Sequence, residues 1–274
     1  MEGRYLLGAT PLEDAWRFLH HQYGLTLERS ELQTRMEEAD GLRRARPPLA
    51  AAAAEPLPEW REHLEAVAAR PLFRTLFQGQ AWRFAAVPLT GLISVQPHLD
   101  FSHAQRRVGA APSLAAALEL CLPVQPEAFE LWGGIAEGDP PTASFFTRDP
   151  NVQITAARME TQPLRITFTI GKTAVFVQVI RLGGRLYLKN GTHRAVALAA
   201  AGLRLLPCVL VEAPDADALP RLLPLPTLTA PSPPLVVDFL TPGLHLSFPW
   251  TDRVKFIRLV PETFAAILPE PLEC

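Results

Sequence analysis

Five consecutive residues, Asn190, Gly191, Thr192, His193 and Arg194, lie between an apolar run and an alanine-rich run in RLYLKNGTHRAVALAAAGLRLLPCVLVE, residues 185–212. The first run reads as a strand and the second as a helix, so the five stand where a strand hands over to a helix. The opening N–H groups of a helix have no partner within it and carry the positive end of its dipole. A glycine just ahead of them lets a ligand approach the backbone closely. Thr192 adds a hydroxyl, His193 a ring nitrogen and Arg194 a fork of donors matched to phosphate oxygens. Each group can donate a hydrogen bond and none is a carboxylate, which is the chemistry of a phosphate cradle. A plainer account stands beside it: Asn-Gly is a common turn, Thr192 a helix cap, and Arg194 a partner for an acid elsewhere. The stretch is not a P-loop, whose lysine follows a longer glycine loop.

Other reactive residues group less well. His20 and His21 are adjacent on a helix and so point in different directions, a poor metal pair. No spacing of His and Cys suits zinc, and a GxSxG nucleophile turn is absent. His103, Arg106 and Arg107 read as a solvated helix face, and His245 as an ordinary strand residue. Arg43, Arg44 and Arg46 beside a proline-rich joint read as solubilising charge, with contact to nucleic acid as the alternative. GKT at 171–173 follows a strand with no glycine-rich loop before it, which favours a hairpin turn.

The elements that must position these residues are legible in outline. Thr10 as N-cap, Pro11 at the first helical position and Glu13 in a capping box open a helix that carries Leu12, Trp16, Leu19 and Tyr23. Further helices are expected over 30–39 and roughly 59–77, with 43–60 as linker. From Trp82 the pattern turns to strands, interrupted by a helix at 112–122 and by a Gly-, Pro- and Asp-rich loop at 132–151. Strands follow at 164–170, 174–182 and 185–190, the last two joined through Gly183-Gly184, a two-residue hairpin signal. A helix at 193–201 and a strand at 205–212 complete the unit. The run from Ala213 to Leu235 holds too many prolines for a helix or a central strand. LHLSFPW and RVKFIRLV then alternate like two paired strands, with Thr251 and Asp252 near the turn.

Bulk properties set limits. Hydrophobic residues are 48% and charged residues 20% of the 274, an ordinary globular balance. A formal charge of −2 gives no global field toward DNA or an anionic membrane. Cys121, Cys208 and Cys274 are far apart and odd in number, unlike a zinc or redox pair. No apolar segment is long enough to cross a bilayer and the first residues do not read as a signal peptide, so a cytoplasmic protein without membrane contact is expected.

The order strand, N-G-T-H-R, helix, A-G-L, then P-C-V-L-V resembles the ParB/sulfiredoxin-like superfamily. Its members carry G-x-x-R or G-x-H-R at this junction, then a small-residue helix and a strand of the form vP-v-v. Gly191, His193, Arg194, Ala201, Gly202, Pro207 and Val209 match that pattern. VPLTGLISVQPHLD, residues 87–100, is similar to the opening of such domains. The likeness covers residues 82–213, with a large insertion at 110–165. Three departures narrow what it implies. Sulfiredoxins place a reactive cysteine where Thr192 stands, so sulfinic-acid reduction is not expected. Chromosome-partitioning members follow the core with a DNA-binding helix-turn-helix, replaced here by the proline-rich run. Kinase members carry an acid at the position of Asn190 and a catalytic glutamate upstream, for which no counterpart is assigned.

The resemblance implies a pocket for nucleotide phosphates over Asn190–Arg194, with Mg²⁺ as companion ion. Gln96, His98 and Lys189 are its further candidate lining, because the opening strand of such domains ends nearby. His193 is the candidate catalytic or orienting group, and no metal ligand is assigned. The expected fold is α+β: a helical region 1–80, a ParB/sulfiredoxin-like mixed-sheet core 81–213, a proline-rich connection 214–234, and a C-terminal strand pair, 235–274, packed on the core. The expected function is nucleotide or phosphate binding, extending to nucleotide hydrolysis or phosphotransfer. The alternatives are a nucleic-acid-binding or ParB-like nuclease protein and a non-catalytic interaction module.

Overall fold

The computed structural model describes residues 1–49, 53–108, 113–125, 129–136, 142–147, 152–161, 164–172, 175–213, 232–251 and 255–259. In chain order these hold β1 (Glu2–Leu6), α1 (Leu12–Arg17), α2 (Arg29–Arg44), α3 (Arg61–Ala69), α4 (Pro71–Phe77), β2 (Trp82–Pro88), β3 (Leu92–Ser94), β4 (His98–Asp100), α5 (Phe101–Arg107) and α6 (Leu114–Cys121). There follow β5 (Trp132–Ala136), β6 (Thr142–Thr147), β7 (Val152–Thr161), β8 (Leu164–Lys172), β9 (Gln178–Leu182), β10 (Arg185–Asn190), α7 (Thr192–Ala200), β11 (Leu205–Glu212), β12 (His245–Pro249) and β13 (Lys255–Leu259). The fold is α+β. It divides into two units, one of Met1–Pro126 with Ala174–Thr251 and one of Glu127–Thr173 with Asp252–Cys274.

The first unit is built on a five-stranded mixed sheet in the order β2-β11-β9-β10-β3. Gly183 and Gly184, with φ of 55° and 80°, make the turn that sets Arg185 opposite Leu182 in the β9–β10 hairpin. Central β11 carries Pro207, which costs little there. Pairing with β9 begins only at Val209, so on that side the missing N–H has no ladder to break. Small residues let α7 lie close against its surroundings: Ala195, Val196, Ala197 and Leu198 are all buried. Gly202, at φ 87°, then ends the helix, and the N–H of Leu203 reaches back to the Leu198 carbonyl at 3.0 Å.

A three-stranded antiparallel sheet, β12-β1-β4, completes this unit. Tyr5, Leu19, Leu32, Leu244 and Phe248 form a second core around it with the first helices, while Phe73 and Phe77 of α4 enter the main core beside Phe176. Helices of the expected helical region 1–80 thus enter both cores. Each fully buried Leu or Phe contributes about 1.5–3 kcal/mol, which is why these helices do not stand apart.

Several local expectations change. Thr10 does not cap α1; its hydroxyl bonds the Tyr5 hydroxyl at 2.5 Å, and Pro11 occupies the cap position. The helix expected over 59–77 breaks at Arg70, whose ψ of 133° is the extended conformation that a following proline enforces. The expected loop at 132–151 contains β5 and β6. In GKT, Gly171 and Lys172 lie within β8, and Thr173 is outside the described residues. The last two strands do not pair with each other: β12 pairs with β1, and β13 pairs with β6 in the second unit. Alternation marks a strand, but it does not choose its partner. The proline-rich run from 214 to 231 is outside the described residues.

His245, expected as a plain strand residue, lies with Nδ1 3.2 Å from the Asp238 carbonyl oxygen and 3.0 Å from that of Thr241. Burial pushes its pKa below the ordinary imidazole value, and the charge of Arg4 adds to the effect. The unfolded chain therefore takes up this proton more readily than the folded one. Stability contributed here is present above the unfolded pKa of about 6.5 and is lost as pH falls from there toward the folded value. Thermal melting from pH 7.5 to 5 should show this loss, and His245→Asn should flatten it over the same window.

Candidate functional site

The corner of interest lies where β3 and β10 end side by side. The two run parallel, with Leu186 beside Leu92, Tyr187 beside Ile93 and Leu188 beside Ser94. The chain then turns into β4, and the N–H of Asp100 donates to Nε2 of His193 at 3.2 Å. Residues 94–100 and 190–193 are thus brought together at one rim of the sheet. Crevices outside the carboxyl ends of parallel strands are where ligands collect in open sheets.

The residues of the corner do not all face outward. Gly191 has φ +103°, and a Cβ built there would stand 2.7 Å from Cγ2 of Val177. Glycine is required at this position by the turn and by Val177, so that side is filled by protein. Asn190 donates from Nδ2 to the Phe176 carbonyl at 3.0 Å, holding the 175–177 segment against the turn.

Arg194 corrects the sequence expectation most directly. Its side chain is 3% exposed and its Nη1 donates to the carbonyls of Val175, at 2.5 Å, and Leu120, at 3.3 Å. Leu120 lies in the last turn of α6, whose carbonyls lack helical partners, so a guanidinium fork serves them as well as it would serve phosphate. Thr192 is buried too. The reason is packing: α7 is covered on most of its circumference, and this begins with Thr192, its first residue.

What remains at the rim is His193, half-buried, and Lys189, exposed at the end of β10. When neutral, His193 accepts the Asp100 N–H through Nε2 and so carries its proton on Nδ1. Its ring meets His103 edge-on, 5.7 Å between centroids. Asp100 is buried and its carboxylate accepts the His103 N–H at 2.8 Å, capping α5. No side chain caps α7, and its first turn contains no acid. Gln96 is half-buried and its carbonyl accepts the Ser94 hydroxyl at 2.9 Å. His98 belongs elsewhere: its ring lies 4.1 Å from Phe18 and 6.4 Å from Tyr5, within an aromatic cluster, which removes it from the proposed lining.

Sequence reasoning missed Asp100, although Asp three residues ahead of His103 is an N-cap spacing. It also misjudged Arg43 and Arg46. Both flank Asp238, which is fully buried: Arg43 Nε donates to Oδ2 at 3.2 Å and Arg46 Nη2 to Oδ1 at 2.5 Å. These arginines hold a carboxylate rather than solvent or nucleic acid. His20 and His21 stack on and against Trp16, at 4.5 and 5.4 Å. Burial raises the thiol pKa of Cys121 to about 12 and pushes that of Cys208 up as well, so neither is a nucleophile near neutrality. Among the described residues no group of three or more His, Cys, Asp or Glu is arranged to hold a metal ion.

Comparison with family models, with curated proteins and with solved structures finds no match to this chain. The ParB/sulfiredoxin-like resemblance therefore rests on the motif residues themselves. Among the described residues no helix is long and apolar enough to cross a membrane.

Proposed function

We propose that this chain binds the phosphates of a nucleotide at the rim where β3 and β10 end. The amides that open α7 would receive the anion, with the imidazole of His193 and the ammonium of Lys189 as side-chain donors. The observation that carries this reading is the parallel pairing of β3 with β10, which brings the 94–100 turn to a helix start without side-chain cap or acid. Arg194 acts as a positioning residue, holding the 175–177 segment and the end of α6 on α7. Mg²⁺ would arrive with the nucleotide's phosphates, and no step is assigned to it. His193 has its Nε2 committed to Asp100, and its role is donation and orientation rather than proton abstraction.

Titration of the full chain with a panel of nucleoside mono-, di- and triphosphates, with and without Mg²⁺, tests the reading by calorimetry. His193→Ala and Lys189→Ala should each weaken binding about tenfold, the loss of one charged or charge-assisted hydrogen bond. Undiminished affinity in both variants would refute the assignment. Nucleic-acid backbone binding at the same rim would instead show as oligonucleotide affinity that falls steeply with salt. No response to either ligand class would leave the corner as an interaction module.

A further inference from the structure

A second concentration of positive charge lies against the 232–238 segment, whose Pro234 carbonyl accepts the Ser94 N–H at 3.0 Å. Arg43 is 3% exposed and Arg46 27%, and both bond the one carboxylate of Asp238. That carboxylate is fully engaged, because its Oδ2 also accepts the Leu235 N–H at 3.0 Å. Two guanidinium groups thus share one negative charge, leaving a net +1. Buried charge left uncompensated is costly, and burial lowers the pKa of Arg43 even with Asp238 beside it.

Beside this trio is a small open-mouthed hollow of about 30 Å³, walled by Arg43, Arg46, Pro47, Pro48, Ser232 and Leu235 among others. Its polar side chains are two arginines and a serine hydroxyl, and no carboxylate lines it among the described residues. The prolines bring no backbone N–H and hold the wall stiff. Low-dielectric walls around an unbalanced charge strengthen its pull on an anion. Arg46 lines the hollow and spends Nη2 on Asp238, so the remaining N–H groups of its fork are the natural donors.

We propose that this hollow binds a small oxyanion, phosphate or carboxylate, on Arg46 with Arg43 and Ser232. The site uses residues other than those of the α7 corner and does not depend on the nucleotide reading. An anion that binds only the folded chain raises its melting temperature, and above its dissociation constant the rise grows with the logarithm of concentration, so sodium phosphate and sodium acetate are titrated against sodium chloride at constant ionic strength. Wild-type chain should show a rise that grows with the logarithm of concentration for at least one of the two oxyanions, and His193→Ala should show the same rise. Arg46→Met leaves a neutral Arg43–Asp238 pair and should weaken the response tenfold or more. Arg46→Lys, which keeps the charge without the fork, should weaken it several-fold, as should Ser232→Ala. The two milder variants decide the matter if Arg46→Met does not melt cooperatively. A response to phosphate alone assigns a tetrahedral oxyanion, and an equal response to acetate a carboxylate. No rise beyond chloride, or an equal rise in every Arg46 and Ser232 variant, overturns the proposal.

Discussion

Asp238→Ala should lower the free energy of unfolding by about 3–5 kcal/mol, the usual consequence of leaving a buried charge without its partner. Here one carboxylate answers two guanidinium groups and a backbone N–H, and it is wholly shielded from water. Its removal strands Arg43 in the interior and releases the segment from Val236 to Leu240, whose start it caps. Asp238→Asn keeps the shape and an acceptor oxygen but not the charge, and should fall between the two. Replacing the pair together, Arg43→Met with Asp238→Leu, should recover part of the loss: no charge is then left fully buried, while Arg46, at 27% exposed, turns to solvent and the Leu235 N–H still loses its acceptor. Urea unfolding followed by fluorescence measures this through the midpoint, with the slope unchanged. A loss below about 1 kcal/mol in Asp238→Ala would mean that water reaches the pair.

Gly191→Ala carries the second large effect. Left-handed backbone costs a non-glycine residue about 1–2 kcal/mol, and a methyl placed 2.7 Å from Val177 forces that side chain or the 175–177 segment to move. Together these should cost about 2–4 kcal/mol. Val177→Ala in the same chain should return the steric part while leaving the backbone part, and the double-mutant cycle separates them. Since Val177 also bonds the Cys121 carbonyl through its N–H at 2.9 Å, the strain should loosen the end of α6 as well. Faster amide exchange at the end of α6 in Gly191→Ala would show it.

The unit from β9 to β11 was legible because its signals are local. Two glycines fix a hairpin, Asn-Gly ends a strand, alanines keep a helix slim, and a second glycine stops it. What escaped depends on distant partners. β1 is a short strand that acquires order only between β4 and β12, and nothing within five residues announces that. β12 and β13 alternate as hairpin strands do, yet pair in different units. At the corner, the sequence identified residues rich in donors but could not say which acceptors they serve. A guanidinium satisfies helix-end carbonyls and phosphate oxygens by the same geometry, and burial on α7 assigned Arg194 to the former. Likewise a run of arginines beside prolines looks solvated until a single aspartate, far along the chain, is found between two of them.

The second unit draws its sheet from both sides of the first unit's final stretch, with β13 closing on β6. A ribosome releases β6 long before β13, so during synthesis one flank of β6 waits, its hydrogen-bonding groups unsheathed, while the whole β9–β11 region emerges and collapses. Such a strand is a template for any passing neighbour. Nascent chains of this protein therefore have a window of vulnerability that lasts until β13 emerges, and chaperones that shield open sheet flanks would act there.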